Sequence, residues 1–76
     1  MNENSGSDMD RQRAETIARH AARSVVGLEH SVSVTRTGNM WVFVFLPPGR
    51  VRGGGAQVTV KKTDTTIEVV DVVFLQ

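Results

Sequence analysis

The chain contains no cysteine, so no disulfide can staple the fold and no thiolate site can hold a metal. It has only two prolines, side by side at positions 47 and 48. No apolar run approaches the roughly 20 residues that a membrane-crossing helix needs. The opening residues Met1-Asn2-Glu3-Asn4-Ser5-Gly6-Ser7 lack the basic start and apolar run of a signal peptide. These absences point to a soluble, cytoplasmic protein with no membrane partner. Charge is missing by sign and by region. Residues 30–62 carry Arg36, Arg50, Arg52, Lys61 and Lys62 but no acid, whereas 63–76 carry Asp64, Glu68 and Asp71 but no base. The net charge of +1 is too small to imply a nucleic-acid partner, so any positive region is local.

What is present centres on Met40-Trp41-Val42-Phe43-Val44-Phe45-Leu46, which holds the only tryptophan and two of the three phenylalanines. Successive strand side chains point to opposite faces, so a strand here is apolar on both and belongs inside a sheet. Its β-branched and aromatic content favours strand over helix. With 76 residues the chain makes one small domain, a size at which self-association often adds stability.

Residues 1–7 read as a disordered lead-in and 8–76 as a single α+β domain. Ser7 is the expected N-cap, with Asp8 and Asp10 in the first turn. Ala14, Ile17, Ala18, Ala21 and Val25 recur at three- and four-residue steps, which predicts an amphipathic helix reaching Val26. Gly27 is placed for a left-handed C-cap, with Leu28 packing back against the helix. Glu15 and Arg19 have the spacing of an i,i+4 pair.

Strands are expected at about 31–36, 40–46, 56–62 and 66–75, giving one N-terminal helix packed on a three- to four-stranded antiparallel meander. Gly38-Asn39 offers a hairpin turn. A two-residue loop sets Val34 opposite Phe43 and Val32 opposite Phe45, with the aromatic face toward the helix; a three-residue loop swaps the faces. Pro47-Pro48 ends the second strand, and Gly49-Arg50-Val51-Arg52-Gly53-Gly54-Gly55 follows as a basic, flexible connection. The alternation Ile67, Val69 against Glu68 shifts around Asp71, which predicts a bulge or a change of packing.

One helix cannot cover both faces of such a sheet. An apolar row, Met40, Val42, Val44 and Leu46, is left over. It either packs against Val72-Val73-Phe74-Leu75, stays exposed, or forms an interface with a second copy or another protein. Lys61 and Lys62 are expected to guard one sheet edge.

Chemistry is sparse. His20 and His30 stand without partners in any recognisable constellation, and Ser24, Ser31 and Ser33 lie in no nucleophile elbow. Asp64, Glu68 and Asp71 match no calcium-loop spacing and read as a solvated acidic edge. The glycine-rich loop lacks the phosphate-loop pattern and leads into a strand rather than a helix. It is a connecting loop, a protein-contact loop or, with Arg50 and Arg52, a phosphate contact; Arg-Gly-Gly occurs once, without repeats or an aromatic platform. No cofactor, metal or catalytic residue is expected.

The order helix, Gly27, alternating strand, Trp41-Val42-Phe43-Val44-Phe45, glycine-rich loop, Gly55-Ala56-Gln57-Val58-Thr59-Val60-Lys61-Lys62 and Ile67-Glu68-Val69 resembles small bacterial immunity proteins of the YrhB-like kind. It is also similar to PepSY-type domains, which share a helix followed by a small antiparallel sheet. The likeness is one of pattern, and Thr63-Asp64-Thr65-Thr66 stands where an Asp/Asn-x-x-Thr-Gly turn is common. The resemblance implies a non-enzymatic binder that neutralises or inhibits a protein, and it carries over no individual functional residue.

The expected function is therefore a protein-binding module, expected as a homodimer, that docks through Met40, Val42 and Val44 with Arg50, Arg52, Gly53 and Gly54 completing the contact. The alternative is nucleic-acid binding through Arg36, Arg50, Arg52, Lys61 and Lys62.

Overall fold

The computed structural model describes residues 3–49 and 54–75, with side chains described from Met9 onward. Helix α1 spans Glu3–Ala21 and is followed by strands β1 (Ser31–Thr37), β2 (Met40–Leu46), β3 (Gly55–Lys62) and β4 (Ile67–Leu75). The strands form one antiparallel sheet in the order β1-β2-β3-β4. The α+β meander expected from the sequence is the architecture observed.

The helix starts earlier and stops sooner than its apolar periodicity predicts. Ser7 lies within α1 rather than capping it, and residues 3–7 of the expected lead-in are helical; residues 1 and 2 lie outside the described residues. Once a helix exists, each added residue gains a hydrogen bond, and Gly6 opposes this by only about 1 kcal/mol. At the other end, Ser24, Val25 and Val26 are poor helix formers. The last turn tightens there into three-residue bonds, Arg23 N–H to His20 O at 3.3 Å and Val25 N–H to Ala22 O at 2.9 Å.

Gly27 does not adopt the left-handed C-cap conformation, since only Gly38, Gly49 and Gly54 have positive φ among the described residues. It opens a turn instead. Its N–H donates to His30 Nδ1 at 3.0 Å, and its carbonyl accepts the His30 N–H at 3.2 Å. That turn projects Leu28 into solvent, 96 % exposed, instead of packing it back. Val26 packs against the core in its place.

Thr37 and Met40 close the β1–β2 hairpin around a two-residue loop. Gly38 has φ +60° and Asn39 does not have positive φ, the pattern of a type II′ turn, whose twist suits a hairpin. Val34 stands opposite Phe43 and Val32 opposite Phe45, so the two-residue alternative holds. Asn39 also fastens the turn to the end of β3: its carbonyl accepts the Lys62 N–H at 2.8 Å, and its Nδ2 donates to Lys62 O at 3.0 Å.

The core lies between α1 and one face of the sheet. Ala14, Ala18 and Ala22 form a stripe at four-residue steps, and Trp41, Phe43, Phe45, Ala56, Val58 and Val60 oppose it, all buried. Small side chains on the helix let large ones on β2 fill the layer. The Phe43 and Phe45 rings stack with centroids 6.3 Å apart. Arg19, paired with Glu15 at 3.2 Å, lays its guanidinium 5.1 Å over the Phe45 ring and closes that flank by cation–π attraction.

The bulge predicted near Asp71 is present. Thr59 pairs with Asp71 and Val60 with Val69, leaving Val70 as the extra residue. A one-residue insertion exchanges the two faces of everything beyond it. Val72 and Phe74 therefore share the helix face with Ile67 and Val69, while Asp71 turns to the other side. Unbroken alternation would have placed Asp71 on the same face as Ile67.

Two expectations about edges are corrected. β3 is an interior strand, so Lys61 and Lys62 guard no edge; the edges are β1 and β4. The C-terminal segment does not fold over the apolar row either, because β4 pairs edgewise with β3 in the same sheet.

Candidate functional site

α1 packs over β2, β3 and β4, all on one side. The other side of the sheet carries none of the described residues as a cover, and the register places its side chains in four levels. At the first, Ser31, Leu46, Gly55 and Leu75 lie across the four strands; at the second, Ser33, Val44, Gln57 and Val73. Thr35, Val42, Thr59 and Asp71 make the third, and Thr37, Met40, Lys61 and Glu68 the fourth. The face thus runs from apolar at one end to charged at the other.

Met40, Val42 and Val44 are half-buried by their strand neighbours, and Leu46 and Val73 are 48 % and 43 % exposed. Gly55 lies buried between two leucines. A Cβ placed there would lie 3.4 Å from Leu75 Cδ1, 3.7 Å from Leu46 Cδ2 and 2.7 Å from the Phe45 carbonyl oxygen. The close approach of the Phe45 carbonyl requires glycine at this position.

The structure brings together the three apolar site residues predicted from sequence, Met40, Val42 and Val44. It keeps Leu46 as the fourth member of that row and adds Gly55, Val73 and Leu75, which sequence reasoning did not assign to the site. The signal for Val73 and Leu75 was the bulge: only after the shift at Val70 does their side of β4 become definite. Arg50, Arg52 and Gly53 lie outside the described residues. Gly54 is exposed, and its carbonyl oxygen lies 2.6 Å from His30 Nε2, so it belongs to the end of the sheet where Leu46 and Leu75 stand.

The described basic residues do not converge. Arg36 is on the helix face, with its guanidinium 5.4 Å over the Trp41 ring and its Nε donating to Gly38 O at 3.1 Å. Lys62 is on that face too, and its Nζ donates to Asp10 Oδ2 at 2.5 Å. Lys61 points to the open face, opposite Glu68.

Other polar features are occupied locally. A recess of about 190 Å³ between α1 and the β3–β4 turn is lined by Asp10, Arg13, Lys62, Thr63, Asp64, Thr65, Thr66 and Ile67. Its charges and hydroxyls are largely spent on each other: Asp10 holds Lys62, and Thr63 Oγ1 meets Thr66 Oγ1 at 2.8 Å. Thr66 Oγ1 donates on to Glu68 at 3.1 Å. Among the described residues, the exposed His20 ring hydrogen-bonds only with Arg23 of its own turn, at 3.1 Å. Asp64, Glu68 and Asp71 are exposed and spread along β4 and its turn. Among the described residues no three potential ligands cluster for a metal, and no helix is long and apolar enough to cross a membrane.

Comparison with protein-family models, with curated proteins and with solved structures finds no match. The open face is therefore read on its own chemistry.

Proposed function

We propose that this chain is a non-enzymatic protein-binding module that acts by steric docking through the open face of its sheet, in the manner of an immunity or inhibitor protein. The observation that carries this reading is the uncovered row Met40, Val42, Val44 and Leu46 on an interior strand, extended by Val73 and Leu75. A contiguous apolar patch rimmed by hydroxyl-bearing and charged residues has the make-up of an interface, with an apolar centre and a polar margin. The likeness to YrhB-like immunity proteins and PepSY-type domains points the same way. Arg50, Arg52, Gly53 and Gly54 would complete the contact. The same reading makes the protein soluble and cytoplasmic, with no cofactor.

Nucleic-acid binding is the weaker reading, because Arg36 and Lys62 are already engaged on the helix face, away from Lys61. It requires affinity for mixed DNA or RNA that falls steeply with salt.

The test is parallel capture on immobilised wild type, Val44→Lys and Leu28→Lys. Wild type and Leu28→Lys should retain the same protein, and Val44→Lys should lose it. Equal retention by all three would contradict docking through this face.

A further inference from the structure

We propose that β1, an edge of the sheet that the helix leaves uncovered, receives an extended acidic segment of a partner protein by antiparallel strand addition. The inference does not rest on the open face; it concerns the rim of the sheet and adds a second contact of different chemistry.

The hairpin fixes which backbone groups of β1 are free. Residues flanking a two-residue loop bond to each other, so Thr37 turns its N–H and carbonyl toward Met40. Strand alternation then gives those of Thr35, Ser33 and Ser31 to β2 as well, and sends the N–H and carbonyl of Val32, Val34 and Arg36 outward. The same three residues share the helix side of the sheet, in register with Phe45, Phe43 and Trp41. An added strand would bond to Val32, Val34 and Arg36 and set its own alternate side chains beside theirs.

The two edges differ. β4 carries Glu68, Asp71 and the extra residue Val70, and charges and bulges are devices that keep an edge from pairing. β1 pairs with β2 without interruption over Ser31–Thr37 and contains no proline or lysine. α1 lies over β2, β3 and β4 and stops short of β1. A shoulder is left between helix and edge, floored by half-buried Val32 and Val34.

Charge on that shoulder selects the occupant. Along α1, Glu15 is paired with Arg11 at 3.7 Å and Arg19 at 3.2 Å. Arg19 lies over Phe45, the cross-strand neighbour of Val32, and Arg36 stands over Trp41 at the other end. Among the described side chains here, three guanidinium groups meet one carboxylate, which leaves a surplus of positive charge. Glu29 lies beyond the Ser31 end, in the turn before β1. An antiparallel segment therefore places its carboxylate opposite Arg36, away from Glu29, and apolar side chains opposite Val34 and Val32. A second β1 would bring two arginine-bearing shoulders together, which disfavours a second copy.

The probe is a capped, fluorescently labelled peptide, Thr-Glu-Thr-Val-Thr-Val-Thr, with a counterpart carrying lysine for glutamate. Run antiparallel to β1, its glutamate lies opposite Arg36 and its valines opposite Val34 and Val32. Anisotropy should show wild type binding the glutamate peptide about fivefold or more tightly than the lysine one. Val44→Lys, on the open face, should bind it as wild type does. Val34→Pro removes an outward N–H that no ladder bond uses, so its dichroism should be unchanged while binding is lost. Arg36→Glu should reverse the preference between the two peptides, and it decides alone if Val34→Pro unfolds.

No binding of the glutamate peptide, equal binding of the two peptides, or no reversal in Arg36→Glu would overturn the proposal. So would a folded Val34→Pro that still binds. Loss of binding in Val44→Lys would move the peptide to the open face and overturn the edge assignment. A wild-type dimer that Val34→Pro dissociates would put a second copy on β1 and overturn the occupant.

Discussion

His30 Nε2 lies 2.6 Å from the carbonyl oxygen of Gly54, joining residues 24 positions apart. The other ring nitrogen, Nδ1, accepts the Gly27 N–H at 3.0 Å. Because Nδ1 accepts, the ring proton is on Nε2, which donates to Gly54. One imidazole thus fixes the turn after α1 and fastens it to the start of β3, next to the apolar end of the open face. Replacing His30 by alanine removes both bonds. Each is worth about 1 kcal/mol, so His30→Ala should lower unfolding stability by about 1–2 kcal/mol in a denaturant titration, leaving far-ultraviolet dichroism unchanged.

The buried aromatic row sets a larger scale. Phe43 is fully buried at the centre of the core, and removing such a ring costs about 3–5 kcal/mol. A core of this size rarely supplies more than about 3–5 kcal/mol of net stability, so Phe43→Ala should be largely unfolded in buffer by dichroism and tryptophan fluorescence.

Gly55 is constrained by backbone rather than by side chains, since a Cβ there would come within 2.7 Å of the Phe45 carbonyl oxygen. Crowding of this kind typically costs about 1–3 kcal/mol. Gly55→Ala should lower the melting temperature, whereas alanine at Gly38 meets no atom within 4 Å and loses only what its positive φ demands.

Val70 gives a sharper test of the bulge. Its deletion leaves the pairs Thr59–Asp71, Val60–Val69 and Lys61–Glu68 intact, so the shortened chain should fold. Deleting Val72 instead moves Val73 onto the helix face and Phe74 onto the open one. That variant should melt well below the first, which a side-by-side thermal scan would read directly.

The Lys62–Asp10 pair bridges α1 and β3, but its side chains are 43 % and 24 % exposed. A partly exposed pair contributes roughly 0.2–1 kcal/mol and weakens with salt. A double-mutant cycle with Lys62→Met and Asp10→Asn should give a coupling in that range, smaller at high ionic strength.

The parts legible in the sequence were those with strong periodicity. The composition of Met40–Leu46 favoured an interior strand, Gly38-Asn39 narrowed its register against β1 to two alternatives, and the broken alternation near Asp71 marked a bulge or a change of packing. The Gly27 cap was not legible, because it is decided by His30, whose partners Gly27 and Gly54 meet only in the folded chain. Leu28 followed Gly27 into the same error. The edge role given to Lys61 and Lys62 failed because composition does not say which strands are outermost; the edges are β1 and the valine-rich β4. Of the site, Met40, Val42 and Val44 were visible as an excess of apolar residues over what one helix can cover. Gly55, Val73 and Leu75 needed the register of β3 and β4.

The central claim is that the open face is a surface and not part of the core, and denaturant unfolding of Val44→Lys, at dilution where association is weakest, tests it most directly. Val44 sits between Ser33 and Gln57 with solvent above it, so the lysine can extend into water and the cost should stay within about 1 kcal/mol of wild type. A loss of about 3 kcal/mol or more, as expected for burying a charge without a partner, would mean that this face is covered within the chain itself, and the docking account would fall.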